Sequence, residues 1–138
     1  MMITIPVPEV FCDTSFFFAA LDPSDIHHAA AGERLQACTQ QGVTLATTWD
    51  VLGETVTVLR YRLGARMAIQ FLDEVKPSLH LLLVDDSIRE EALVLLRRSP
   101  LRLSYCDAVS CVTVKVRLAD GVCFAFDRDF RHLGLRVL

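Results

Sequence analysis

Apolar positions follow two alternating rhythms along this chain. Short, largely apolar runs at Val10-Phe11-Cys12, Val43-Thr44-Leu45-Ala46, Leu79 to Val84, Val122 to Phe126 and Leu135 to Leu138 predict buried strands. Between them apolar residues recur at helical spacing. Leu52, Val56, Leu59 and Leu63 fall at i, i+4, i+7 and i+11, marking an amphipathic helix from about Thr48 that Gly64 breaks. Other helices are predicted over Thr14 to Leu21, about Asp25 to Gln40, beyond Gly64 to about Val75, Ser87 to Arg97, Ser104 to about Leu118 and, briefly, Arg128 to Leu133. Ser24 or Asp25 is expected to cap the second of these and Gly42 to stop it. Strands without polar alternation are buried on both faces, as in a parallel sheet under helices. The predicted fold class is therefore α/β, a three-layer α/β/α sandwich with a central parallel sheet. Pro and Gly occur singly, with no linker, repeat or low-complexity stretch, so residues 1–138 are expected to form one domain.

Composition adjusts this picture in three ways. An apolar content of 52% is high for so small a domain and points to surface covered in a homo-oligomer or by a partner. No apolar run reaches the ~18 residues of a membrane helix, and Met1 to Val10 lacks the basic residue and long apolar core of a secretory signal. Five cysteines without a CxxC pair read as reduced and structural, which disfavours zinc and suits the cytoplasm. The net charge of −3 is unpromising for a nucleic-acid binder. Setting aside four of the 17 acids as a metal site leaves 13 against 14 Lys and Arg, and a bound cation reverses the sign within the site.

Those four acids are Asp13, Glu54, Asp107 and Asp127. Asp13 and Asp127 directly follow predicted strands; Glu54 and Asp107 lie near the starts of predicted helices. In an open parallel sheet the carboxyl ends of the strands share one edge, where ligands bind. Carboxylates gathered there repel unless a cation or protons are present. Hard oxygen ligands without His or Cys select Mg²⁺ or Mn²⁺, and nearby helix N-termini favour an anion. Metal-assisted phosphodiester hydrolysis follows as the expected chemistry. Each acid alone has a plainer reading: Asp13 and Asp127 as helix caps, Glu54 as a solvated residue, and Ser104-x-x-Asp107 as a capping box.

The same residues carry a family resemblance. Phe11-Cys12-Asp13-Thr14-Ser15 resembles the opening motif of PIN domains, and Thr48 to Glu54 resembles the segment bearing that family's glutamate. Leu103-Ser104-Tyr105-Cys106-Asp107-Ala108 resembles its LSxxDA motif. Asp127-Arg128-Asp129-Phe130, followed by Leu133-Gly134-Leu135, resembles the ending common in VapC-type toxins. The resemblance implies Mg²⁺-dependent endoribonuclease activity, with Asp13, Glu54, Asp107 and Asp127 as metal ligands and Ser15 supporting them. It also implies a dimer inhibited by a small antitoxin protein that covers an apolar groove. Ala125 departs from the pattern, which often has Thr or Ser two residues before the last Asp. Asp129 is a candidate to support that last ligand.

Around this site Arg128 and Arg131 are candidates for RNA phosphate contacts, as are Arg60, Arg62 and Arg66 along one rim. Phe16-Phe17-Phe18 is read first as core and second as groove lining. His27-His28 is read as an exposed helix start rather than a metal site. Val84-Asp85-Asp86 is reminiscent of a phosphoacceptor acid pair but follows the wrong strand. Two functions are carried forward: a metal-dependent ribonuclease toxin, and a catalytically weak PIN-fold module that binds RNA or protein and is held by a partner.

Overall fold

Strand β1 (Glu9–Cys12) lies in the middle of the sheet, in a computed structural model that describes residues 2–138. Its last three residues are buried on both faces, which explains a run of Val, Phe and Cys with no polar alternation. On one side β1 pairs with β2 (Thr44–Thr47) and on the other with β4 (Val122–Phe124). The edges are β3 (His80–Leu81) and β5 (Arg136–Val137). All four pairings are parallel, in the order β3-β2-β1-β4-β5. The chain thus builds outward from β1 on one side and returns to its other side at β4. That reversal puts a crevice at the carboxyl ends of β1 and β4.

Helices cover both faces: α1 (Thr14–Leu21), α2 (His28–Gln41), α3 (Trp49–Leu63), α4 (Ala65–Gln70), α5 (Asp86–Arg98), α6 (Tyr105–Arg117) and the short α7 (Asp129–His132). Asp13 caps α1, Thr48 caps α3, Asp85 caps α5 and Ser104 caps α6, each accepting from a backbone N–H of the first turn. Asp85 also accepts from Arg117 at 3.2 Å, so both of its oxygens are engaged. Gly42 closes α2 at φ 67°, a left-handed conformation that suits glycine. Phe16 of α1 packs on Phe124 at 4.9 Å between ring centroids, and Phe17 meets Phe71 edge-on at 5.3 Å. Helix α6 is buried from Ala108 through Val114, so it forms part of the core rather than an amphipathic cover.

Several expectations need correction. Helix α2 starts at His28, and its first turn has no side-chain cap; the Asp25 carboxylate instead holds the N–H of His27 at 2.8 Å. The segment beyond α4 loosens into a π-helical turn over Phe71–Val75 and a 3₁₀ turn over Lys76–Ser78, where Pro77 removes a backbone donor. The predicted third strand shrinks to two residues. Leu82 still donates to Thr47 O at 2.8 Å, but Leu83 is 69% exposed and its carbonyl accepts from Arg117 instead of a strand. The fourth strand ends at Phe124, so Asp127 stands three residues beyond it in the loop before α7. Among the described residues no helix is long and apolar enough to cross a membrane.

Candidate active site

The crevice at the end of β1 opens into a cleft of about 430 Å³ lined by Asp13, Glu54, Asp107 and Asp127. All four predicted acids therefore face one space. Asp13 reaches it because β1 ends there and α1 begins on its cap. Glu54 is delivered by the second turn of α3 and Asp107 by the first turn of α6. Half of the capping box forms, since the Ser104 hydroxyl accepts from Asp107 N at 3.0 Å. Asp107 has both roles: its backbone starts the helix and its side chain lines the cleft.

Arg89 fixes the two helices relative to each other. Its guanidinium donates to both Asp50 carboxylate oxygens, at 3.0 and 3.2 Å, and to Tyr105 Oη at 2.9 Å. Asp50 lies one turn before Glu54 and Tyr105 two residues before Asp107, so a planar, forked donor sets their spacing. Nothing in the local sequence around Arg89 points to this role.

Ser15 ties the other two acids together. Its hydroxyl donates to Asp13 Oδ2 at 2.8 Å and accepts from Phe126 N at 2.9 Å. The Ser15 N–H adds a second bond to the same carboxylate at 3.1 Å. The loop bearing Asp127 is thus pinned to Asp13 through one hydroxyl. Asp127 Oδ1 in turn accepts from Asp129 N at 2.9 Å, a local turn that orients the carboxylate.

Burial and crowding of negative charge shape the electrostatics of the cleft. Asp13 is 4% exposed, and burial drives its carboxyl upward against the lowering effect of the Ser15 hydrogen bonds. Asp107 is pushed up to about 7, first by burial and then by the neighbouring charges of Asp13, Asp127 and Glu54. Burial and the adjacent Glu54 also hold the Cys106 thiol far above its usual range. Glu54 Oε2 is buried and accepts no hydrogen bond. A buried carboxylate oxygen without a donor is costly and calls for a positive partner. Among the described residues, no three His, Cys, Asp or Glu side chains stand close enough to enclose a metal ion. The four acids line one cleft without forming such a cluster. Oxygen donors without His or Cys are of the kind that Mg²⁺ or Mn²⁺ takes.

The remaining wall is aromatic and basic: His27, Phe18, Phe126 and Arg62, with Asp25 and Val58. Of the arginines considered from the sequence, Arg62 lines the cleft, held over the Phe18 ring at 5.3 Å. Arg60 and Arg66 are exposed, as are Arg128 and Arg131 near α7, outside the cleft wall. Phe16, Phe17 and Phe18 are all buried, in keeping with the core reading. Phe17 also faces a second, apolar cavity of about 510 Å³ with Leu21, Leu35, Val43 and Val75. All five cysteines are free thiols.

Comparison with known proteins fits this geometry. The family model described as PIN domain matches residues 10–135. The chain belongs to the PIN domain family. It is 32% identical over 130 residues to the 23S rRNA-specific endonuclease VapC20 of Mycobacterium tuberculosis, covering 91% of this chain and 94% of that one. The crystal structure of the same relative, described as a Sarcin-Ricin loop cleaving toxin, superposes with a TM-score of 0.80 at 29% identity over 91% of this chain and 95% of that one. VapBC2 from Rickettsia felis, crystallised with a DNA fragment from its promoter, shares the fold. It superposes with a TM-score of 0.72 at 13% identity over 94% and 97% of the two chains.

Proposed function

We propose that this PIN domain is a divalent-metal-dependent endoribonuclease of the VapC toxin type. The observation that carries this reading is the convergence of Asp13, Glu54, Asp107 and Asp127 on one cleft, with a buried, donorless oxygen on Glu54. These four acids would hold Mg²⁺ or Mn²⁺. The ion, when bound, would supply Lewis-acid activation of water and charge neutralisation at the scissile phosphate. Ser15 would keep the Asp13 carboxylate aimed and the Asp127 loop close, with Asp129 orienting Asp127 from its backbone N–H. Arg62 would meet a neighbouring RNA phosphate from the cleft lining, and Arg128 and Arg131 would act farther out on the surface.

We further propose one domain over residues 1–138, working in the cytoplasm as a homodimer with a small antitoxin as inhibitor. The apolar cavity beside Phe17 supports such a partner. The relative's substrate makes a folded ribosomal RNA loop the first RNA to test. With that RNA and Mn²⁺, the wild-type protein is expected to cut and Asp13→Asn to be inert. Equal cleavage by both, or none by either, overturns the reading.

A second reading has its own observation. Ala125 is buried and brings no hydroxyl to the Asp127 loop, which favours a weakly catalytic PIN module that binds RNA or protein. Ser15 already satisfies Phe126 N–H and Asp13 from the other side, so the nuclease reading is preferred.

A further inference from the structure

The aromatic part of the cleft lining carries a feature that metal binding does not explain. The His27 ring lies parallel to the Phe126 ring, with a 1° interplanar angle and 4.3 Å between centroids. Phe126 is itself nearly parallel to Phe16, at 25° and 6.4 Å. Three flat rings thus run from the core to the cleft, ending in a half-buried imidazole on the cleft wall. The Arg34 guanidinium also sits over Phe126, 5.4 Å from its centroid.

His27 is positioned with more care than an ordinary helix-start residue. Its N–H is held by Asp25 Oδ1 at 2.8 Å, while the neighbouring His28 is turned away to Ala19 O at 2.7 Å. Through Phe126 its location is tied to the acids. Phe126 N binds Ser15 Oγ, which binds Asp13, and Phe126 directly precedes Asp127. A flat π face is therefore registered against the carboxylates through two hydrogen bonds and one peptide unit. Arg62 lines the same cleft and can offer a cation to a phosphate. A flat ring, a fixed cation and an acid cluster in one cleft match the base, flanking phosphate and scissile phosphate of a nucleotide.

We propose that His27 is a nucleobase platform, on which an unpaired base next to the scissile phosphate stacks. This rests on the ribonuclease reading above and adds a preference for RNA whose bases are free to leave the helix. Unpaired bases of loops are what flat side chains recognise, because bases in a duplex already stack on one another. Stacking asks only for a π face, so the platform should tolerate another aromatic ring and not an aliphatic one.

The test compares wild type, His27→Ala and His27→Phe on an unpaired ribo-oligonucleotide with Mn²⁺, using a matching set in which single positions are abasic. Removing the ring should raise KM roughly 5- to 150-fold with kcat little changed, and His27→Phe should recover most of the loss. One abasic position beside the cut should weaken wild type by a similar factor and leave His27→Ala no worse. A folded His27→Phe as weak as His27→Ala overturns the platform, because a structural imidazole or a hydrogen bond would then be the requirement. So does an unimpaired His27→Ala, or wild type indifferent to every abasic position. Wild type that cuts no RNA overturns the ribonuclease reading and this one together, whereas wild-type cleavage with a silent His27→Ala overturns this one alone.

Discussion

Replacing Asp107 with Asn should make the protein more stable without metal and less stable with it. In the folded chain the Asp107 carboxyl is raised from 3.8 to about 7 by burial and by Asp13, Asp127 and Glu54. At 1.36 kcal/mol per pH unit the full displacement would correspond to about 4 kcal/mol. Asp107 is only half-buried, and solvent screening lowers this to about 1–2 kcal/mol. The direction follows from proton linkage. Between about pH 4 and 7 the folded protein holds a proton on Asp107 that the unfolded chain has lost, so rising pH removes stability across that window. Above about 7 the group is charged in both states and the deficit is constant. Asn keeps the shape and leaves the backbone N–H that Ser104 caps, but carries no charge. Melting followed by circular dichroism with a chelator should show Asp107→Asn above wild type by about 3–10 °C near pH 8, a difference that shrinks near pH 5. Saturating Mn²⁺ should invert the order, since a ligand at about a hundred times its Kd adds about 2.7 kcal/mol to the state that binds it. Chelated Asp107→Asn melting at or below wild type near pH 8 would refute the reasoning. So would a gain unchanged near pH 5.

Two further substitutions probe the frame around the acids. Ser15→Ala strands the Phe126 N–H and takes one donor from Asp13; urea unfolding should show a loss of about 1–3 kcal/mol. Mn²⁺ affinity, read by titration calorimetry, should fall as well, because the Asp13 carboxyl is driven further upward. Ala125→Thr should raise kcat by no more than about tenfold, the worth of one added hydrogen bond, since Ser15 already serves the loop. Cleavage seen in Ala125→Thr and absent from wild type would favour the binding-module reading instead.

Much of this protein is legible along the chain because much of it is local. The caps at Asp13 and Ser104, the stop at Gly42 and the unalternating apolar strands depend on neighbours a few residues away. The acids were legible for the same reason, since each lies near the end of a strand or the start of a helix. Elements whose fate depends on distant partners were misjudged. The run from Leu79 to Val84 has the composition of a strand, yet only His80 and Leu81 find a ladder, and Leu83 turns to solvent where Arg117 takes its carbonyl.

Composition and spacing alone determined an α/β chain with four carboxylates at element ends. Whether those carboxylates meet was decided by the tertiary structure, through the sheet order that sets β1 between β2 and β4. The same packing brought Arg89 against Asp50 and Tyr105, and His27 flat onto Phe126. No local pattern encodes such pairs. The chain's periodicities specify which face of an element is buried. Which remote face it is buried against depends on how all the elements pack together, and that is where the cleft acquires its second wall.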